Sequence, residues 1–465
     1  MTSIVTAQTQ VNVKDFGAKG DGKSNDITAI RSAIAKVNRS GGTVYFPKGT
    51  YLTSIVDIQP ATSAMISFVG EDGAVLKKDP KDKMKVAVIF SEKRNANLTF
   101  KNLMIDGDYM AAPRTWRKEG KNTILLTEEV KGIYIYNANS VTVENCRAYN
   151  LHGDGIAAFN TKIFHANNNI VENVSGSGII GHKVDSMYVR NNKVKNGGVL
   201  TDEFHVDGKV TQAKSNPYLT KYGDGISAYS NYTIIANNVV DNGGRCGIVH
   251  DIAKELGYKH SAVIVENNTV TVNSNKIRNN NPPSGMWFEQ TGEIEVKNNT
   301  VTFVNSNSTL VSGIRFYDVS SINMINNTLN AENYNKTSDN AIGIFESNLT
   351  SCIIEGNKIS GKFKRGIAMS YEKSVSKVGE LSIVGNEFKG NPDLEIGINV
   401  LVYGRNEFPK KMLVRQNRFD RSVKNPLDMS YFGTVSTKRT TSELIIYDSN
   451  VQLNKSLRGV RVVRK

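Results

Sequence analysis

Two short patterns recur down this chain in step, and together they leave few architectures open. The first is a glycine followed by an apolar residue at the start of a strand-like run. It appears as Gly132-Ile133, Gly155-Ile156, Gly178-Ile179, Gly225-Ile226, Gly247-Ile248, Gly285-Met286, Gly313-Ile314, Gly343-Ile344, Gly366-Ile367 and Gly397-Ile398, at spacings of 23, 23, 47, 22, 38, 28, 30, 23 and 31 residues. The second is an asparagine between two apolar runs: Asn145, Asn169, Asn192, Asn238, Asn268, Asn299, Asn327, Asn357, Asn386 and Asn417, at spacings of 24, 23, 46, 30, 31, 28, 30, 29 and 31. A period of 22 to 31 fits three short strands and three turns per coil. Asparagine suits a tight corner because it tolerates left-handed backbone angles, and its amide can bond the asparagine of the next coil. Such ladders stabilise arrays whose single repeats cannot bury their own apolar face. A leucine-rich repeat has a similar period, but its leucine lattice and helical backs are absent. The predicted fold is all-β, a right-handed parallel β-helix with about ten or more three-strand coils.

The front of the chain differs. Residues 24–38 place Ile27, Ile30, Ile34 and Val37 at helical spacing, with Asp and Asn near the start as caps and Gly41-Gly42 after the end. An amphipathic helix there would cover the open end of the coil stack. The expected organisation is a disordered start or signal-peptide remnant over 1–10, a cap and first coil over 11–58, coils over 59–430, and a terminal coil or cap over 431–465. Three stretches break the period and read as inserted loops: 109–130, 198–222 and 252–281. Since one unit is missing between Asn192 and Asn238, 198–222 is either a degenerate coil or an insertion.

Residues 11–52, VNVKDFGAKGDGKSNDITAIRSAIAKVNRSGGTVYFPKGTYL, resemble the opening segment of the pectate-lyase-like superfamily, which includes polygalacturonases, pectate lyases, alginate epimerases and phage tailspike depolymerases. The later coils extend the likeness over most of the chain. It implies the fold and leaves the reaction open, because hydrolases, lyases, epimerases and non-catalytic binders share that fold. Polygalacturonases carry Asn-Thr-Asp, Asp-Asp and Gly-His-Gly signatures, where this chain has Gly153-Asp154-Gly155 and Gly223-Asp224-Gly225. Alginate epimerases carry Asp-Pro-His, where this chain has Ala157-Ala158-Phe159. Neither activity carries over, and Asp154 and Asp224 read by default as turn caps.

Strand alternation turns the glycine register into a surface map. With the marker glycine as zero, positions +1 and +3 point inward and +2 and +4 outward. The +4 column reads Tyr136, Phe159, His182, Tyr229, Asp251, Glu289, Tyr317, Ser347, Ser370 and Leu401, and +2 adds Tyr134, Ser227, Trp287 and Arg315. Rings with carboxylates suit sugars, so this face is the expected substrate groove around 182–317. Asp251 and Glu289 are neighbours in the column, and paired carboxylates are what glycosidic hydrolysis needs. Tyr136, Phe159, Trp287 and Tyr317 would contact sugar rings, and Arg245 and Arg315 would hold a sulfate or carboxylate. A surface ion network joining the acids to those arginines is the bland alternative. In a lyase, His182, Tyr229 or Tyr317 would instead abstract the proton next to a uronate carboxyl. His250 reads as an inward, satisfied group, and His152, His165, His205 and His260 as turn or loop residues. No pair of His or Cys has metal-ligand spacing, so no cofactor is expected; bound Ca2+ is compatible with the chain but nothing in it indicates one.

The formal charge of +14, from 58 Lys and Arg against 44 Asp and Glu, favours a polyanionic partner. The rings and acids of the face point to an anionic polysaccharide rather than nucleic acid. No apolar run is long enough to span a membrane, and three distant cysteines imply no disulfide framework. Val5-Thr6-Ala7 before Gln8 looks like the tail of a signal peptide, so a secreted or periplasmic location is expected. The resulting expectation is a monomeric, carbohydrate-active enzyme, with hydrolysis slightly ahead of β-elimination. A trimeric tailspike or an adhesin that binds glycan without cutting it is the reading from another class.

Overall fold

Strands of one coil lie in parallel register beside their counterparts in the next. Ile133 pairs with Ile156 and Ile156 with Ile179 on the first strand, Val141 with Phe164 on the second, and Arg147 with Ile170 on the third. The computed structural model describes residues 9–82, 87–108, 115–119, 122–126, 130–197, 204–206, 209–211, 223–241, 246–251, 256–258, 261–274, 284–306, 312–334, 337–345, 349–371, 379–389, 393–403, 410–432, 442–446 and 460–464. The chain divides into two compact units, Met1–Ser230 and Asn231–Lys465, each built of such coils. The fold is a right-handed parallel β-helix, as the repeat predicts.

Inward columns of Ile, Val, Leu and Phe are fully buried, with ring stacks such as Phe68 on Phe100 at 5.2 Å and Phe288 on Phe316 at 5.3 Å. The marker glycines are required by packing rather than by backbone angle. A Cβ on Gly155 would lie 2.6 Å from the Gly178 carbonyl and against the Val171 side chain.

The asparagine ladder is present, but its two tasks fall on successive residues. Within Asn231–Lys465, buried Asn238, Asn268, Asn299, Asn327, Asn357, Asn386 and Asn417 pass side-chain hydrogen bonds of 2.9–3.0 Å from coil to coil. The residue before each carries the left-handed angle, as at Asn267, Asn298 and Asn326 with φ 56°, 55° and 55°. In Met1–Ser230, Asn169 bonds Asn192 at 3.0 Å. Asn145, placed in the ladder from sequence, is a corner residue with φ 54°. Cys146 takes the ladder position, donating its backbone N–H to Asn169 at 2.9 Å.

Two other expectations need correction, and the alternative left open at 198–222 narrows to one. The marker in the Ser338–Phe345 strand is Ala341-Ile342, since Ile314 pairs with Ile342 and Tyr317 with Phe345. Gly343 therefore stands at +2 and Phe345 at +4; the shift is two residues, so the outward face is preserved, and Ser347 lies outside the described residues. Residues 252–281 are not one inserted loop, because Ala262–Glu266 and Thr269–Ser274 are regular coil strands. Residues 198–222 are an insertion rather than a degenerate coil. The Gly178 N–H donates directly to the Asp224 carbonyl at 2.9 Å, and the insertion carries an antiparallel pair, Phe204–Val206 with Lys209–Thr211. Residues 109–130 hold another such pair, Thr115–Glu119 with Asn122–Leu126.

At the front, the helix Ile27–Val37 buries Ala29, Ile30, Ala33, Ile34 and Val37, and packs on the strands Gln10–Asn12 and Gly42–Phe46. Asp26 does not cap it through its side chain. Its carboxylate instead clamps the preceding loop, accepting from the Lys19 and Gly20 amides at 2.7 and 3.0 Å.

Candidate functional site

In Met1–Ser230 the outward face of the first strands carries a column of rings. Tyr136 stacks on Phe159 at 4.9 Å, Phe159 faces His182 at 5.6 Å, and His182 faces Tyr229 at 5.3 Å. Tyr134, beside Tyr136, shares a hydroxyl–hydroxyl bond of 2.6 Å with it and packs against Ala87, Phe90 and Ala157. The sequence assigned Tyr136 and Phe159 to stack on sugars, and the geometry corrects that for Phe159. Both of its faces are covered by neighbouring rings, so it presents an edge, not a face, to an incoming chain. His182 is half-buried in this stack; burial, and then the charge of Lys183, push its imidazole below the usual range. Ser227, expected on the outward face, is fully buried and bonds Asp224 and Ser177, each at 3.0 Å.

In Asn231–Lys465 the corresponding strand positions hold different chemistry. Val249 pairs with Trp287, Trp287 with Arg315, and Arg315 with Gly343. Glu289 pairs with Tyr317 and Tyr317 with Phe345. Asp251 directly follows His250, and the pairing of His250 with Phe288 sets it beside Glu289. Asp251, Glu289, Trp287, Arg315 and Tyr317 are all half-buried. The Arg315 guanidinium lies 4.7 Å from the Trp287 ring and 5.3 Å from the Phe345 ring, held by aromatic surface on both. Its Nε is buried and has no hydrogen-bond partner among the described residues. Gly343 leaves the room that Phe345 fills, since a Cβ there would meet that ring. Phe345 was missed from sequence because the marker was set two residues late. Placing it at Ala341 gives spacings of 28 and 25 in place of 30 and 23, and that regularity was the available signal.

Arg245 lies outside the described residues. His250 is inward and fully buried, with Nδ1 2.9 Å from the Thr291 hydroxyl. Asp154 accepts the Ser177 amide at 2.8 Å, a turn cap as expected. His165, expected in a turn, is in the strand Ile156–Asn167, where its half-buried ring stacks on Tyr188 at 4.6 Å. Among the described residues, no group of three or more His, Cys, Asp or Glu is placed to hold a metal ion.

Residues 10–202 match the family described as rhamnogalacturonase A/epimerase, pectate lyase-like, and residues 131–334 match the right-handed β-helix region. Together these matches place residues 10–334 in the pectate-lyase-like β-helix superfamily. Residues 252–447 also match the periplasmic copper-binding protein NosD family. Alginate lyase 7 of Azotobacter vinelandii is 56% identical over 46 residues, 10% of this chain and 5% of that protein. Mannuronan C5-epimerase AlgE5 of the same organism is 59% identical over 44 residues, 9% of this chain and 4% of that protein. The matched stretches thus span a small part of these curated relatives. The A-module of mannuronan C-5 epimerase AlgE4 from that organism has the same fold, with a TM-score of 0.52 at 17% identity over 82% of this chain and 96% of that one. Pectate-lyase-like proteins share coils, not chemistry, so the reaction has to be argued from the outward face.

Proposed function

We propose that this protein is a secreted or periplasmic carbohydrate-active enzyme that hydrolyses an anionic polysaccharide, with Asp251 and Glu289 as its working carboxylates. The register supports the reading: the pairing of His250 with Phe288 sets Asp251 next to Glu289, and Arg315 of the following coil lies against Trp287 and Phe345. One acid would protonate the leaving oxygen while the other serves as nucleophile or base. Among the described residues the guanidinium is held by ring contacts rather than by acids, which leaves its terminal nitrogens to a substrate carboxylate or sulfate. The relatives' names, alginate lyase and mannuronan epimerase, agree with polysaccharide as the substrate class.

A second reading, β-elimination on a uronate polymer, is favoured by His182. An imidazole held below its usual range is neutral near pH 7 and able to take a proton, and Tyr229 stands beside it.

Incubation with a panel of sulfated and uronic polysaccharides, following reducing ends and ultraviolet absorbance together, separates the readings. Reducing ends alone indicate hydrolysis, both signals indicate elimination, and binding without either signal indicates an adhesin. Glu289→Gln is expected to abolish hydrolysis, a loss of at least about a thousandfold, while polymer binding is retained. Unchanged turnover in that variant would remove Glu289 from the chemistry.

A further inference from the structure

The corner after the first strand of a coil demands left-handed backbone. Asn137 and Asn160 hold it in two successive coils of Met1–Ser230, at φ 59° and 49°, and Lys183 holds it in the next at 55°. Among the described residues with such angles, Lys183 is the one that is not Gly, Asn, Asp or Gln. Lysine strains this place. Its Cβ crowds the following carbonyl, and it has no short polar side chain to bond the local backbone in return. Strain of this kind, where neighbouring coils use the relaxed residue, points to a task other than holding the coil. Lys183 is exposed, and among the described residues it makes no ion pair. The nearest acid along the strand, Asp185, sits opposite Lys162 in the register set by Thr161–Val184 and Ile163–Ser186. Lys183 directly follows His182, whose half-buried ring lies between Phe159 and Tyr229.

We propose that Lys183 is a specificity residue, whose ammonium at this strained corner binds an anionic substituent, carboxylate or sulfate, of a glycan passing along the ring column. This rests on the reading of the outward face as a glycan surface. The local strain is what an uncommitted cation beside His182 costs the coil.

Binding of the full chain, its Lys183→Asn variant and its Lys183→Arg variant would be measured against polygalacturonate, dextran sulfate and neutral dextran. Lys183→Asn is expected to weaken anionic-polymer binding about fivefold, to leave neutral-polymer binding unchanged, and to raise the melting midpoint by about 1–2 °C. Lys183→Arg should keep the binding. The polymer that shows the loss tells carboxylate from sulfate. Unchanged anionic binding in Lys183→Asn, or a lowered melting midpoint, overturns the role of Lys183 alone. If the unaltered chain binds none of the three polymers, the glycan reading falls and this role falls with it.

Discussion

His182 has Phe159 on one side of its ring and Tyr229 on the other, so protonating it means placing a charge inside an aromatic stack. Burial, followed by the Lys183 charge, holds its pKa below 6.5. The unfolded chain takes up that proton near pH 6.5 while the folded ring resists it, so stability is complete above that value and declines as pH falls toward the folded pKa. His182→Phe, which keeps a ring and cannot titrate, is therefore expected to lose less stability than the parent between pH 7 and pH 5 in urea melts. Equal losses would mean that His182 is not held neutral. The outward position of this residue was legible from Gly178, because strand alternation is a local property. The covering of both ring faces was not, because it depends on residues from two other coils brought together only by stacking. The same holds for Arg315, whose contacts with Trp287 and Phe345 join three strands distant in sequence.

Each coil is closed at a corner where two residues divide the work. At Asn298-Asn299 the first supplies a left-handed φ of 55°. The second accepts from the Asn268 backbone and amide at 2.9 Å each, and donates to Val265 at 2.8 Å and to Asn327 at 3.0 Å. Asn299→Ala strands several of these buried partners and is expected to destabilise by about 3 kcal/mol. Asn298→Gly should cost a few tenths of a kcal/mol, since glycine takes the angle freely. Denaturant melts of the two variants check this, and a larger loss at Asn298 than at Asn299 would contradict it. The asparagine repeat made the ladder readable, but a dipeptide of identical residues concealed which member did which task. Cys146 shows how the misassignment arose: the coil lacks the second asparagine, and the first one looked like the ladder residue. The glycine marker failed once for a related reason. Ala341 fills the packed position in the Ser338–Phe345 strand, and Gly343, two residues on, imitates it.

At the scale of the whole chain, residues 10–334 match the pectate-lyase-like β-helix superfamily, and the chain forms two compact units of parallel coils. The net charge of +14 suits a polyanionic glycan. Fold class was legible because a repeat multiplies a weak local signal many times. Reaction class was not, because two carboxylates matter only once their strands are in register. Disulfide trapping measures that register directly. Cysteines placed at Asp251 and Glu289 should bridge on oxidation, because neighbouring parallel strands bring Cα atoms within the roughly 4.4–6.8 Å that a disulfide spans. The native Cys146, Cys246 and Cys352 are buried and stay out of the exchange. The prediction is a 251–289 bridge by peptide mass, and none when Asp251→Cys is combined with Phe288→Cys, which points into the coil. A bridge to 288 instead of 289, or to neither, would contradict the shared outward face.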